Sequence, residues 1–271
     1  MLRQRATGMA VALGIALGLP AVALALGVAK GSGHRAARHL QTAHTTAGAP
    51  AIGALFATAS ATAHSCTAAV VQSPRGDLLI TAAHCLSGSA AGMVFAPGFR
   101  DGASPYGRWL VTGAYLPPGW LDLRSPDRDF AFLTVAPQSI DGRQIQLQQL
   151  TGGYRLGSTP PAGTPVTVTG YPAGASNAPI TCAARTYQRA GFPAFACGGY
   201  VAGTSGSPWL AWGAHGPVIV GVIGGLHQGG CLPYISYSSP LGSAARALYR
   251  RALSGARPDV APPIKAAGCP G

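Results

Sequence analysis

Gly203-Thr204-Ser205-Gly206-Ser207-Pro208-Trp209 sets a serine between two glycines and follows it with a small residue and a proline. A serine hydroxyl is a weak nucleophile until a base takes its proton. It also needs a tight turn whose backbone N–H groups face the oxygen under attack. Flanking glycines permit that turn, because they tolerate backbone angles that other residues avoid. Taken alone, the stretch reads as a Gly/Ser surface loop. Two further stretches change that reading. Thr81-Ala82-Ala83-His84-Cys85 places a histidine after a β-leaning run and beside a cysteine. Asp129-Phe130-Ala131-Phe132-Leu133 places an aspartate at the head of an apolar run.

The order His84, Asp129, Ser205 is that of the chymotrypsin arrangement, and the chain resembles the trypsin-like (chymotrypsin-fold) serine peptidases. Residues 81–85 resemble the family's TAAHC motif. Residues 203–208 resemble its GDSGGP motif, with Thr204 in place of the Asp and Ser207 in place of the second Gly. The resemblance runs from about residue 52 to about residue 252 and is closest to the secreted peptidases of high-GC, actinomycete-like bacteria. It implies an all-β fold of two six-stranded antiparallel β-barrels with a short C-terminal helix, and a catalytic triad in the cleft between the barrels.

The bulk properties agree. A chain of 271 residues with 39 Gly, 23 Pro and 10% charged residues suits a compact, turn-rich β protein better than a helical bundle. It contains no Glu, its lysines are Lys30 and Lys265, and arginine carries most of the formal net charge of +12. The arginines are scattered apart from Arg250-Arg251, with no basic block interleaved with aromatics. That pattern argues against a nucleic-acid partner and fits a basic secreted protein. Six cysteines (Cys66, Cys85, Cys182, Cys197, Cys231 and Cys269) make an even set without CxxC spacing, which points to disulfides rather than zinc. Neither a metal nor a cofactor is expected.

Along the chain, residues 1–29 carry Arg3 and Arg5 ahead of a long uncharged Ala/Leu/Val/Gly run with small residues near its end. They read as an export signal; an uncleaved anchor is the rival. Residues 30–50 lack apolar periodicity and read as a linker or short pro-segment, with His34, His39 and His44 as solvated residues. The peptidase domain is expected over 51–254 as short strands broken by Gly and Pro, among them 52–56, 65–72, 78–81, 109–115, 130–135, 166–170, 208–212, 218–223 and 234–238. The Gly/Pro-rich stretch 151–165 divides the two halves. Helical periodicity over 240–252 predicts one helix, and the Pro-rich tail 255–271 is loose unless Cys269 ties it down.

Within the resemblance, Ser205 is the expected nucleophile, His84 its base and Asp129 the residue that orients the imidazole. Asp129 is preferred over Asp122 and Asp127 because it opens an apolar run, whereas Asp127 reads as a turn residue. His64, His215 and His227 lack the flanks of His84. The N–H groups of Gly203 and Ser205 are the expected oxyanion hole. The resemblance implies a Cys66–Cys85 disulfide beside His84. Cys182–Cys197 would close the loop before the nucleophile and Cys231–Cys269 would follow, with Cys197–Cys231 and Cys182–Cys269 as the alternative. Substrate contacts are expected from Tyr200, Ile223, Gly224, Gly225 and His227, with residues 221–225 pairing with the substrate backbone. No Asp lies in 198–204 or 224–226 to face a basic substrate side chain, and His227 could face an acidic one. The partner is thus a peptide or protein, met by a monomeric secreted enzyme. A catalytically inactive homologue that binds peptides or cell-wall material is the alternative, and a disulfide-stapled adhesion domain a more distant one. Many relatives are zymogens in which a freed N-terminal ammonium pairs with the Asp before the nucleophile. Thr204 carries no charge, so the loop here is expected to be held by neighbouring backbone bonds and the nearby Cys182–Cys197 bridge, with no dependence on a new N-terminus at Ile52.

Overall fold

The computed structural model describes residues 40–173, 178–266 and 268–269. The first half closes into a barrel of six antiparallel strands: β1 (Ile52–Phe56), β2 (Cys66–Val71), β3 (Leu78–Thr81), β4 (Val94–Pro97), β5 (Trp109–Tyr115) and β6 (Ala131–Val135), in the order β1-β2-β3-β6-β5-β4. Several of these strands are apolar throughout, not alternately apolar and polar, because both faces are covered. Leu55, Val70, Leu79, Phe95, Trp109 and Leu133 fill the barrel. The intervening Ile52, Phe56, Val71, Leu78, Ile80 and Phe132 face outward onto Tyr171, Ile219, Val222 and the C-terminal helix. The period of two therefore assigns one set of side chains to the barrel interior and the other to the contact between halves.

The second half contains β7 (Pro165–Gly170), β8 (Ile180–Arg185), β9 (Phe192–Ala196), β10 (Pro208–Gly213), β11 (Gly216–Val222) and β12 (Ile235–Tyr237). They surround Val166, Val168, Phe195, Trp209 and Ile223. Here the ladder is not continuous. One sheet runs β8-β7-β10-β11 with short flanking strands at His44–Thr45 and Arg155–Leu156; another joins Tyr187–Arg189, β9 and β12. The two are closed at their seams by other means. The Cys182–Cys197 disulfide joins β8 to the residue after β9. Gly224 N–H donates to Tyr237 O at 3.0 Å, and Val222 N–H to Ser238 Oγ at 3.0 Å. The chain is thus a two-barrel, nearly all-β fold with a C-terminal helix.

Three features depart from the sequence reading. The strands β4, β8 and β9 were not expected, since ITCAAR is rich in small residues, and Pro97 and Pro193 lie within strand segments where proline is uncommon. The helix spans Ser243–Leu253 instead of starting at Pro240. The preceding residues stay extended because Ser238 and Ser239 bond across to the cleft and Leu241 N–H donates to Thr159 Oγ1 at 2.7 Å. The helix buries Ala245, Leu248 and Ala252, and Arg75 closes its last turn by donating to the carbonyls of Ala252 and Leu253 at 3.0 and 3.1 Å. Residues 41–46, expected as linker, are bonded into the second barrel, with Gly198 N–H to Gln41 O at 2.7 Å and Thr46 N–H to Pro179 O at 2.9 Å. The export-segment reading and His34 and His39 lie outside the described residues. Among the described residues no helix is long and apolar enough to cross a membrane.

His64 is buried between Phe56, Phe99 and Tyr171, with ring centroids 6.0–6.2 Å away. Neither ring nitrogen has a hydrogen-bond partner, and burial lowers its pKa from the ordinary value near 6.5. A histidine that is harder to protonate when folded contributes stability above pH 6.5, and that stability is lost as pH falls from there toward the folded value. The denaturant midpoint of the wild-type protein is therefore expected to fall between pH 8 and pH 5 by more than that of His64→Leu. Parallel pH dependence in the two proteins would contradict this assignment.

Candidate active site

Ser205 lies on the turn between the 198–204 segment and β10, where two positive-φ glycines shape the backbone. Gly203 has φ +90°, and a Cβ there would approach Ala173 N at 2.5 Å and Tyr171 O at 2.6 Å. Gly206 has φ +83°, and a Cβ would collide with Thr67 O and Thr81 Oγ1. Both are glycine because the backbone hand and the close approach of other backbone, from Tyr171 and Ala173 at Gly203 and from the first barrel at Gly206, leave no alternative. Among the described residues, the N–H groups of Gly203 and Ser205 donate to no other backbone carbonyl, whereas those of Thr204, Gly206 and Ser207 go to Val201 O, Ile223 O and Thr204 O. The two donors expected of an oxyanion hole are therefore left unspent beside the serine.

The first barrel supplies the histidine. The end of β3 runs into a short 3-10 turn, Ala83–Cys85, which presents His84, and the Cys66–Cys85 disulfide ties that turn to the start of β2. Asp129 stands just before β6 and is fully buried. Its Oδ2 accepts from His84 Nδ1 at 2.7 Å and from the Gly225 amide at 2.8 Å, and its Oδ1 accepts from the His84 amide at 2.9 Å. A carboxylate only accepts, so this contact places the ring proton on Nδ1 and leaves the Nε2 lone pair available. Asp127, the rival acid, is instead part of a surface turn bonded to Ser125 and Arg128.

A cavity of about 550 Å³ opens over these groups, lined by His84, Gly203, Thr204 and Ser205 and also by Tyr200, Ile223 and His227. Gly224 and Gly225 follow the cavity-lining Ile223 and pack against Asp129. A Cβ on Gly224 would meet Asp129 O at 2.9 Å and Asp129 Oδ2 at 3.1 Å, and the Gly225 amide is bonded to that carboxylate. Both close the cage around Asp129. Tyr200 donates its hydroxyl to Val168 O at 2.6 Å, and burial raises its pKa above the ordinary phenol value. His227 Nδ1 lies 2.8 Å from Gly268 O. Among the described residues, the lining includes no carboxylate.

Several residues that hold the site carried no sequence signal. Thr67 is fully buried, and its Oγ1 donates to Gly203 O at 3.0 Å and accepts from Tyr171 N–H at 2.9 Å. Its own amide donates to Ser205 O at 2.8 Å. Ser239 Oγ accepts the Asp129 amide at 2.8 Å and donates to Pro126 O at 2.7 Å. At the position before the serine, Thr204 Oγ1 donates to Val201 O at 2.7 Å. Ile52 is the first residue of β1 and fully buried, with its amide bonded to Ala49 O at 3.0 Å. The disulfides are Cys66–Cys85, Cys182–Cys197 and Cys231–Cys269, and no described cysteine is free. No cluster of three or more His, Cys, Asp or Glu among the described residues is arranged to hold a metal.

Two β-barrels with a His–Asp pair and a serine turn at a common cleft define the class of trypsin-like folds. Residues 66–221, over half of the chain, match the trypsin-like peptidase domain, and the protein belongs to that family. No curated protein matches the sequence. Among solved structures, the protease Anisep from Arthrobacter nicotinovorans is similar at 21% identity and a TM-score of 0.65, covering 79% of this chain and all of the other. The thermostable serine protease AL20 from an extremophilic microorganism is similar at 24% identity and a TM-score of 0.63, covering 78% of this chain and all of the other. Human heparin binding protein is similar at 16% identity and a TM-score of 0.60, covering 81% of this chain and 99% of its own. At these identities the likeness establishes the fold.

Replacing Thr67 with Val keeps the shape but strands Gly203 O and the Tyr171 amide without partners. The expected loss is about 2–4 kcal/mol of unfolding free energy, measured by urea denaturation. Thr67→Ser should restore most of it. A neutral Thr67→Val would show that this bond does not hold the turn.

Proposed function

We propose that the protein is a secreted serine endopeptidase that hydrolyses peptide bonds through an acyl-enzyme. The observation that carries this reading is the bonded His84–Asp129 pair opening on the same cavity as Ser205. In the first half-reaction, Ser205 Oγ attacks the carbonyl carbon of the substrate while His84 Nε2 takes the hydroxyl proton. Asp129, already bonded to Nδ1, stabilises the imidazolium. The developing oxyanion is received by the Gly203 and Ser205 amides. Collapse of the tetrahedral intermediate breaks the C–N bond as the imidazolium returns its proton to the departing amine. Water then attacks the acyl-enzyme by the same route in reverse, freeing the new carboxyl terminus and Ser205.

The cavity lining supports a neutral or acidic residue ahead of the cleaved bond, because no carboxylate faces it to balance an Arg or Lys. The N-terminal apolar run and the three disulfides support export to an oxidising compartment. We assign residues 1–29 to the export signal, and the working unit to a monomer that requires neither metal nor cofactor. With Thr204 neutral and the Ile52 amide bonded to Ala49 O at the buried start of β1, activity is proposed to need no ammonium released at Ile52. The similarity to heparin binding protein keeps a non-catalytic binding module as the second reading.

A fluorophosphonate probe distinguishes the two. It is expected to label Ser205 and no other serine, as read by peptide mass mapping. Ser205→Ala and His84→Ala should abolish turnover to similar extents, because the triad acts as a unit. Asp129→Asn should lower kcat by about 10⁴-fold, through loss of the correct tautomer. Labelling at Ser207, or undiminished turnover in Ser205→Ala, would overturn the assignment.

A further inference from the structure

The C-terminal tail, expected to be loose unless Cys269 ties it down, is tied by Cys231–Cys269 and fastened to both barrels. On the first barrel, Asp259 accepts from Leu116 N–H at 2.8 Å and from Arg251 at 2.6 and 2.8 Å. Val260 and Ala261 then pair antiparallel with Ser89 and Gly88, a few residues beyond His84. On the second barrel, Gln228 Nε2 donates to Lys265 O at 2.9 Å, His227 Nδ1 lies 2.8 Å from Gly268 O, and Cys269 is bonded to Cys231. Pro262 and Pro263 bridge the gap with two fixed φ angles, which makes a stiff span. Ile264 follows them, 67% exposed to solvent, and lines the same cavity as His84 and Ser205.

The receiving loop is built at a cost for this contact. His227 and Gln228 are consecutive non-glycine residues in the left-handed region, at φ 52° and 54°. Such positions are unfavourable for residues with a Cβ and persist only where the surroundings hold them. Here the side chains of both are spent on the tail, and the disulfide partner Cys231 follows three residues later. The latch also follows directly on the Ile223–Gly225 segment, the edge along which an extended substrate would run.

We propose that residues 260–266, with Gly268 and Cys269, form a disulfide-latched strap across the mouth of the cleft. The strap admits short substrates to Ser205 and excludes polypeptide that would continue along the 223–225 edge. The inference rests on the peptidase reading of the site. It makes Ile264 and the strap determinants of substrate length, and the left-handed pair His227–Gln228 the latch that positions them.

The test uses two substrates that differ in reach. p-Nitrophenyl acetate acylates a serine without contacts beyond the reacting centre, whereas fluorescein-labelled casein must lie along the cleft. In the protein ending at Ala261, which keeps Asp259 and the pairing with Gly88–Ser89, the acetate burst should stay within about twofold of wild type. The casein kcat/KM should rise at least about tenfold. The double variant Cys231→Ser, Cys269→Ser should shift the same way and serves if the shortened chain fails to fold. Unchanged casein turnover, a fall, or an equal change with both substrates would overturn the strap. Absence of any acetate burst and of fluorophosphonate labelling would instead reject the peptidase reading. The strap is then read from fluorescein-casein anisotropy, where at least about tenfold tighter binding without the tail supports it and equal binding overturns it.

Discussion

The buried carboxylate of Asp129 is the constraint on which the rest of the structure turns. A fully buried charge is tolerated only when its desolvation is offset by well-placed donors. Here the donors come from both halves of the chain. The His84 amide and ring belong to the first barrel, and the Gly225 amide belongs to the second. Ser239, also from the second half, holds the Asp129 backbone in place. The carboxylate is therefore satisfied only when the barrels are docked in register, and docking in register is what brings the imidazole and the serine turn to one cavity. Assembly of the fold and assembly of the site are the same event.

The apolar contact between the halves supplies the driving force but little of the register. Ile52, Phe56, Leu78, Ile80 and Phe132 meet Tyr171, Ile219, Val222 and the C-terminal helix over a broad surface. Burial of this kind is non-directional and scales with area. The polar crossings are directional. Thr67 reaches from β2 to both Gly203 and Ser205, and Gly206 fits against Thr67 and Thr81 with no room for a Cβ. A shift of one residue along either surface would leave several of these buried groups unpaired at once, and the cost of unmade bonds exceeds the net value of made ones.

This division explains what could be read from the sequence. Ser205, His84 and Asp129 each sit in a local pattern whose chemistry is self-contained: glycines that permit a turn, a β-leaning run ending on histidine, an acid heading an apolar strand. The barrel strands with bulky apolar residues were equally legible. Thr67 and Ser239 were not, because a hydroxyl in a strand or loop carries no mark of a partner more than a hundred residues away. Gly224 and Gly225 stand out in the sequence as a place of close backbone approach, but nothing local marks Asp129, about 95 residues earlier, as a group that approaches them. The strands β4, β8 and β9 escaped because small residues and proline weaken the periodic signal that tertiary pairing then overrides.

Thr204 shows how one change of residue type propagates through this scheme. Where the GDSGGP motif carries an acid, a buried carboxylate must find an ammonium, and the loop becomes conditional on a cut elsewhere in the chain. With Thr204, the same position is neutral, 2% exposed, and satisfied within its own turn by Val201 O. The work of fixing Gly203 then falls to contacts present whenever the barrels are docked: Thr67 Oγ1 on the Gly203 carbonyl, Ala173 N–H on Ala202 O, and Ser207 Oγ on Thr204 O. Each is a neutral hydrogen bond worth about 1 kcal/mol net, against the several kcal/mol by which a buried ion pair can fail when one partner is missing. The loop is thus held by packing and neutral hydrogen bonds, and in the strap proposed above control over the site would lie with what crosses the cleft in front of it.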